Sequence, residues 1–125
     1  MNSVVHFEIP ADDLARAKKF YGDSFGWQLQ DMPEMDYVMV TTTEMGEDHI
    51  PKNPGAINGG ITDRSGFVKQ PSLAIDVDDI DAAMEKVISA GGKMAKEKMS
   101  VGPMGFVAYF TDTEGNLISL FQAAK

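Results

Sequence analysis

The sequence predicts an α+β fold: two βαβββ modules that form a curved mixed sheet with the helices outside. Three observations predict it. One stretch occurs twice, as VHFEIPADDLARA near the start and as SLAIDVDDIDAA after Pro71. Laying Asp12-Asp13 over Asp78-Asp79 brings Phe7 onto Leu73, Ile9 onto Ile75, Leu14 onto Ile80 and Ala17 onto Ala83. In each copy an alternating run gives way to helical spacing across a short acidic turn, the pattern of strand, cap and amphipathic helix. Each copy is then followed by three more strand-like runs. Two copies are too few for a solenoid, which needs three or more units. A helix covers only one face of such a half, so each half needs a partner for its other face.

In the first half, residues Val4 to Ile9 are β-branched and aromatic, and Pro10 ends them. Alternation puts Val5, Phe7 and Ile9 on the face that meets the helix and His6 and Glu8 on the other. Asp12 or Asp13 caps the helix, whose apolar stripe is Leu14, Ala17, Phe20 and Tyr21. Gly22 and Gly26 bracket a turn, and Trp27 starts a second strand. Asp31 to Asp36 reads as a turn and Tyr37 to Thr43 as a strand. Glu44 to Gly55, with Gly46, Pro51 and Pro54, reads as a loop. Ala56 to Thr62 is a short strand in which Gly59-Gly60 marks a bulge or a close approach by a ligand or another backbone.

Arg64 to Pro71 is polar and punctuated by Gly and Pro, the character of a linker. The expected division is one domain over 1–125: a first module at about 1–63, a linker at about 64–71 and a second module at about 72–125.

The second half opens on Ser72 to Val77, with Leu73, Ile75 and Val77 on one face and Ser72, Ala74 and Asp76 on the other. Ile80, Ala83, Met84, Val87 and Ile88 form a helical stripe, and Gly91 suits the left-handed position beyond the helix end. Lys93 to Met99 reads as a strand and Val101 to Gly105 as a loop. FVAYFT (106–111) and LISLFQ (117–122) form a hairpin across Asp112 to Asn116.

A chain of 125 residues fits one domain, and 43% hydrophobic residues suffice for its core. No apolar run spans a bilayer and no basic-then-apolar leader opens the chain, so a cytoplasmic protein is expected. Cysteine is absent, which excludes disulfides, thiolate metal sites and a cysteine nucleophile. Two histidines, His6 and His49, exclude a three-imidazole site within one chain. The net charge of −8 repels phosphate backbones, excluding nucleic acid as a partner, and modestly favours a cationic ligand.

The runs VVHFEIPADDLARAKKFYGDSFGW, LAIDVDDIDAAMEKVISAGG and FTDTEGNLISLFQ together resemble the vicinal oxygen chelate superfamily of glyoxalases, bleomycin-resistance proteins and extradiol dioxygenases. They cover about half of the chain and fall in both modules. The resemblance implies the paired-module fold and a homodimer. Activity is left open, because the group spans lyases, isomerases, dioxygenases and non-catalytic binders. In metal-using members the ligands come from the first and last strand of each module, with His or Gln on the first and Glu on the last. By the resemblance those positions fall at His6, near Asn58 to Gly60, at Ser72 and at Ser119. Only His6 is a strong ligand type. A divalent ion such as zinc or nickel needs three or more good donors, so no cofactor is expected. A displaced site using His6, Glu8 and Asp76 is the alternative.

The expected ligand is a small molecule held between paired modules. His6 is either a pocket base or a donor satisfied within the fold. Glu8 and Asp76 lie on the polar faces of the two leading strands, where they form an acid–base pair or stand in water at the rim. Tyr37, Tyr109 and Phe121 add aromatic lining, and Ser72 and Ser119 add hydroxyls. The nine methionines mostly fill core gaps on this reading, and His49 is a solvated loop residue. Two functions follow: a glyoxalase-like binding protein lacking the usual metal, or a lyase or isomerase in which His6 or Glu8 moves a proton beside a carbonyl.

Overall fold

The computed structural model describes residues 1–48 and 50–124. The chain divides into two compact units. The first is His6–Pro71; the second combines Met1–Val5 with Ser72–Lys125. The expectation for His49 lies outside the described residues.

Strand β1 (Val4–Ala11), which belongs to the first unit from His6 onward, leads into helix α1 (Leu14–Phe25), followed by β2 (Gln28–Met32), β3 (Tyr37–Thr41) and β4 (Asn58–Asp63). The sheet order is β2-β3-β4-β1, with β4 parallel to β1 and the other pairs antiparallel. Asp13 caps α1 by accepting from Arg16 N at 3.0 Å, and Gly26 closes it at φ 69° with its N–H on Gly22 O. One face of the sheet supplies Ala11, Val38, Val40 and Ile61, which pack with Phe7, Ile9, Leu14, Ala17, Tyr21, Trp27 and Leu29. Trp27 stacks on Tyr21 at 5.0 Å between ring centres.

In the second unit, β5 (Ser72–Asp76) leads into α2 (Ile80–Ser89), then β6 (Lys93–Ser100), β7 (Gly105–Thr111) and β8 (Leu117–Ala123), in sheet order β5-β8-β7-β6. The topology repeats that of the first unit. Val77, Ile80, Met84, Ala108, Phe110 and Leu120 form the core under α2. Asp112 organises the hairpin turn by accepting from Glu114 N, Asn116 N and Asn116 Nδ2. At the other end of the chain, Ser3 O accepts from Asp76 N and Asn2 Nδ2 donates to Asp76 O, which ties Met1–Val5 to β5.

Asp79 Oδ1 accepts from Asp81 N at 2.9 Å and Ala82 N at 3.3 Å, so it satisfies two free N–H groups of α2. Replacing Asp79 by Ala is expected to cost about 0.5–2 kcal/mol, read from the urea midpoint, with a smaller loss for Asp79→Asn.

Several expectations are corrected. Gly59-Gly60 makes no bulge: the register from His6↔Asn58 to Ala11↔Asp63 is unbroken. The expected close approach is present: a Cβ at Gly59 would meet the Phe7 backbone oxygen and ring, and one at Gly60 would meet the Tyr37 ring. Phe20 and Ile88 fall outside the helical stripes and are exposed, because Leu14, Ala17 and Tyr21, and Ile80, Met84 and Val87, already turn those helices inward. The methionines do not mostly fill the core. Met84 is buried, whereas Met35, Met39, Met45, Met94 and Met104 are exposed, lying at turns, strand ends and sheet surfaces that no helix covers.

Candidate functional site

The site begins with the alternation of β1. Phe7, Ile9 and Ala11 go to the helix side, so His6 and Glu8 project from the opposite face. The parallel register sets Asn58 beside His6 and Gly60 beside Glu8. The antiparallel register of β3 sets Met39 beside Gly60 and Tyr37 beside Thr62. Registered neighbours share a face, so these residues form one surface on the side of the sheet away from α1.

Tyr37 crosses that surface. Its ring lies over Gly60, where any Cβ would collide with Oη and Cζ. Its Oη ends 3.1 Å from His6 Nε2. Glycine is required here by close approach rather than by backbone angle. Asn58 cannot reach out from the same strand. Its Oδ1 accepts from Thr42 N and Thr43 N, and its Nδ2 donates to Thr43 O, so it pins the chain leaving β3.

Burial lowers the His6 pKa below 6.5, so the imidazole is neutral at pH 7. Burial raises the Tyr37 pKa, and the negative charge of Glu8 raises it further, so the phenol stays protonated. The pair is a neutral hydrogen bond with two arrangements. With Nδ1 protonated, the phenol donates to Nε2. With Nε2 protonated, the imidazole donates and the phenol proton is left for a ligand oxygen.

These shifts have a stability consequence. The unfolded chain takes up a proton near pH 6.5, whereas native His6 resists until lower pH. The His6 contribution is therefore complete above about pH 7 and falls as pH drops through 6.5, at up to about 1.4 kcal/mol per unit. Tyr37 acts in the other direction. Its contribution is complete below pH 10 and falls as the pH rises above that, where the unfolded chain ionises first. Melting temperatures between pH 5 and 8 are expected to fall less steeply with acid in His6→Asn than in the parent; identical slopes would contradict the buried neutral imidazole.

The second unit presents a corresponding face. Register places Ser119 beside Ala74 and Tyr109, and Phe121 beside Asp76 and Val107. Ser72, Asp76, Ser119, Tyr109 and Phe121 thus all project away from α2. Ser72 Oγ donates to Leu117 O at 2.7 Å and Ser119 Oγ to Leu73 O at 3.3 Å, and both side chains are buried. Tyr109 is buried, Phe121 half-buried and Asp76 exposed. All seven residues singled out from the sequence therefore stand on the two sheet faces that the helices leave open. Sequence reasoning gave Tyr37 only a lining role and missed its hold on His6. The available signal was the Gly59-Gly60 pair, which announces a close approach without naming what approaches.

Surface grooves lie elsewhere. One of about 740 Å³ runs between α1 and the β2–β3 edge, lined by Leu14, Lys18, Trp27, Leu29 and Asp31 and reaching Tyr37. A shallower one lies on the outer side of α2 at Ala82, Glu85 and Ser89. Neither is lined by His6 or Glu8.

The positions that the resemblance assigns to metal ligands carry few strong donors among the described residues. Of the positions the resemblance assigns, His6 Nε2 is engaged by a phenol, Asn58 is spent on backbone, Gly59 and Gly60 carry no side chain, and the two serines give neutral hydroxyls already donating to carbonyls. Among the described residues no three His, Cys, Asp or Glu side chains come together to hold a metal. No helix among them is long and apolar enough to cross a membrane.

Residues 3–43 match the family model of bleomycin resistance protein-like N-terminal regions. Across most of its length the chain is similar to a glyoxylase-like domain-containing protein of Didymella fabae, 38% identical over 114 residues that cover 87% of this chain and 84% of the relative. The chain belongs to the glyoxalase/bleomycin-resistance/dioxygenase superfamily. This glyoxalase-like chain is also 31% identical to a putative glyoxylase of Mycobacterium bovis over 94% of its residues, but spans only 44% of that relative. It is 29% identical to a probable lactoylglutathione lyase of Vibrio parahaemolyticus, covering 95% of this chain and 89% of the relative. A solved superfamily member from Vibrio splendidus superposes with a TM-score of 0.65 at 17% identity, over 98% of this chain and 99% of that one. At that identity the likeness shows the fold alone.

Proposed function

We propose that this glyoxalase-like chain binds a small molecule on the His6 face without the divalent ion used by metal-dependent superfamily members. The His6 Nε2–Tyr37 Oη pair over Gly60 carries the reading. A half-buried, neutral donor–acceptor pair on an otherwise open sheet face is suited to orienting the oxygen of a ligand. Met39 beside Gly60, and Met32 beside Tyr37, add adaptable apolar surface. Glu8 adds negative charge on the same face, so an uncharged or cationic molecule is favoured over an anion. On the second unit the exposed Asp76 and half-buried Phe121 are the accessible members of the corresponding face, with Ser72, Ser119 and Tyr109 buried beside them, and a homodimer is the assembly proposed.

A second reading is a lyase or isomerase in which Glu8 or His6 moves a proton beside a carbonyl. It is favoured by the carboxylate whose charge acts on the Tyr37 phenol, and by the lactoylglutathione lyase name of a relative.

The test is a thermal-shift and calorimetric screen of cationic aromatic and small carbonyl compounds, with hits repeated on His6→Ala and Tyr37→Phe. A ligand at 100 times its Kd is expected to add about 2.7 kcal/mol of stability. His6→Ala is expected to weaken binding about tenfold, equivalent to about 1.4 kcal/mol. Hits whose affinity is indifferent to both substitutions would defeat the proposal. Turnover of a carbonyl hit that disappears in Glu8→Gln would favour the second reading.

A further inference from the structure

The metal-ligand positions of the superfamily and the residues of this chain disagree, and the disagreement centres on one side chain. We infer that Tyr37 closes the His6 position to divalent cations and converts it into a hydrogen-bonding position for an uncharged ligand oxygen, a carbonyl or hydroxyl. The inference rests on the reading of the His6 face as a binding site and names what that site excludes.

Two geometric facts carry it. An imidazole ligates through an unprotonated ring nitrogen, and Nε2 of His6 points at the Tyr37 hydroxyl 3.1 Å away. An ion approaching Nε2 must displace that hydroxyl. The ring behind the hydroxyl also fills the room above Gly60, beside Glu8 in the register. A carboxylate side chain at position 60 would need the volume the phenol holds. Tyr37 therefore occupies the Nε2 side of His6 and fills the space a carboxylate at position 60 would need.

The protonation states agree with this geometry. Burial and the charge of Glu8 keep the phenol protonated, so it does not supply an anionic oxygen to a cation. Among the described residues, Glu8 and the half-buried imidazole are the strong donors registered on this face, fewer than the three or four of a stable zinc or nickel site. What remains is an O–H and a ring N–H that share one hydrogen bond and leave one proton for an incoming oxygen.

The experiment is a zinc titration of the full chain followed by proton–nitrogen NMR of the His6 ring, assigned with His6→Gln. In the parent, the His6 ring signals are expected to stay in place at tenfold excess of zinc. In Tyr37→Ala they are expected to move, with at least tenfold tighter binding than in the parent. Tyr37→Phe keeps the ring and its packing but frees Nε2, so it is expected to fall between the two. It also decides the matter if Tyr37→Ala does not fold. Stoichiometric perturbation of His6 in the parent would overturn the inference. So would equal zinc responses in the parent and the folded variants. The readout is the metal, so these failures differ from failure of the binding reading, which is judged by His6-dependent ligands.

Discussion

Truncating Ile61 to Ala is expected to destabilise the first unit by about 2–5 kcal/mol. Ile61 is fully buried at the centre of β4, between Ile9 of β1 and Val38 of β3. Its side chain lies in the cluster of Ala11, Val38 and Val40, roofed by Leu14, Ala17 and Tyr21 from α1. Removing it deletes apolar contact and leaves a cavity that flanking strands, fixed by ladder hydrogen bonds, close only in part. The expected fall in melting temperature is roughly 8–20 °C. Trp27 is the one tryptophan of the chain and packs on Phe7 and Tyr21, so its fluorescence during urea unfolding reports this unit. Ile88→Ala, at an exposed position on α2, is expected to change stability by less than about 0.5 kcal/mol. A loss below about 1 kcal/mol for Ile61→Ala would contradict the packing described.

The same residues show how far the sequence reaches. The period of two gives the leading strands their inner and outer faces, and Phe7, Ile9, Ile75 and Val77 pack in the cores under α1 and α2 accordingly, whereas Val5 and Leu73 near the strand starts are exposed. The acidic pairs announced the helix starts, because only a short side chain with an acceptor oxygen satisfies the first free N–H groups. His6 and Glu8 were placed on an open face for the same reason of alternation. The Tyr37 contact was not legible, since alternation gives the face of a residue but not its partner across strands. Which residue of β3 stands beside which residue of β4 depends on where the 42–57 segment lets the strand return. Asn58 sets that return by holding Thr42 and Thr43, a set of hydrogen bonds with no periodic signature. The exposed methionines depart from the expectation because residue type says what a side chain tolerates, and not whether a helix covers it. Alternation gives Ser72 and Ser119 only as hydroxyls on the face away from α2; that each spends its proton on a neighbouring strand's carbonyl requires the β5–β8 register.

Replacing Gly60 by Ala is expected to break the Tyr37–His6 contact and to cost about 1–3 kcal/mol. The methyl group would occupy the place of the Tyr37 hydroxyl and ring edge, and β4 is held on both sides, by β1 and by β3. Moving the ring is easier than moving three strands, so Tyr37 leaves and His6 loses its partner. Part of the cost, about 0.5–1.5 kcal/mol, is the hydrogen bond itself. With the ring gone, water reaches the imidazole and its pKa rises back toward 6.5. Gly22→Ala is the control: its Cβ meets the flexible end of Leu29 at 3.3 Å and the Trp27 backbone oxygen at an ordinary 3.9 Å, and alanine favours the helix. That change is expected to stay within about 0.5 kcal/mol of the parent. The decisive comparison is the double variant Gly60→Ala with Tyr37→Ala. Removing the phenol gives the new methyl its space, so the two changes together should cost less than the sum of each alone, by at least about 0.5 kcal/mol. Strict additivity, with an unchanged His6 titration in Gly60→Ala, would mean that the phenol does not lie across β4 and that His6 meets its ligand unassisted.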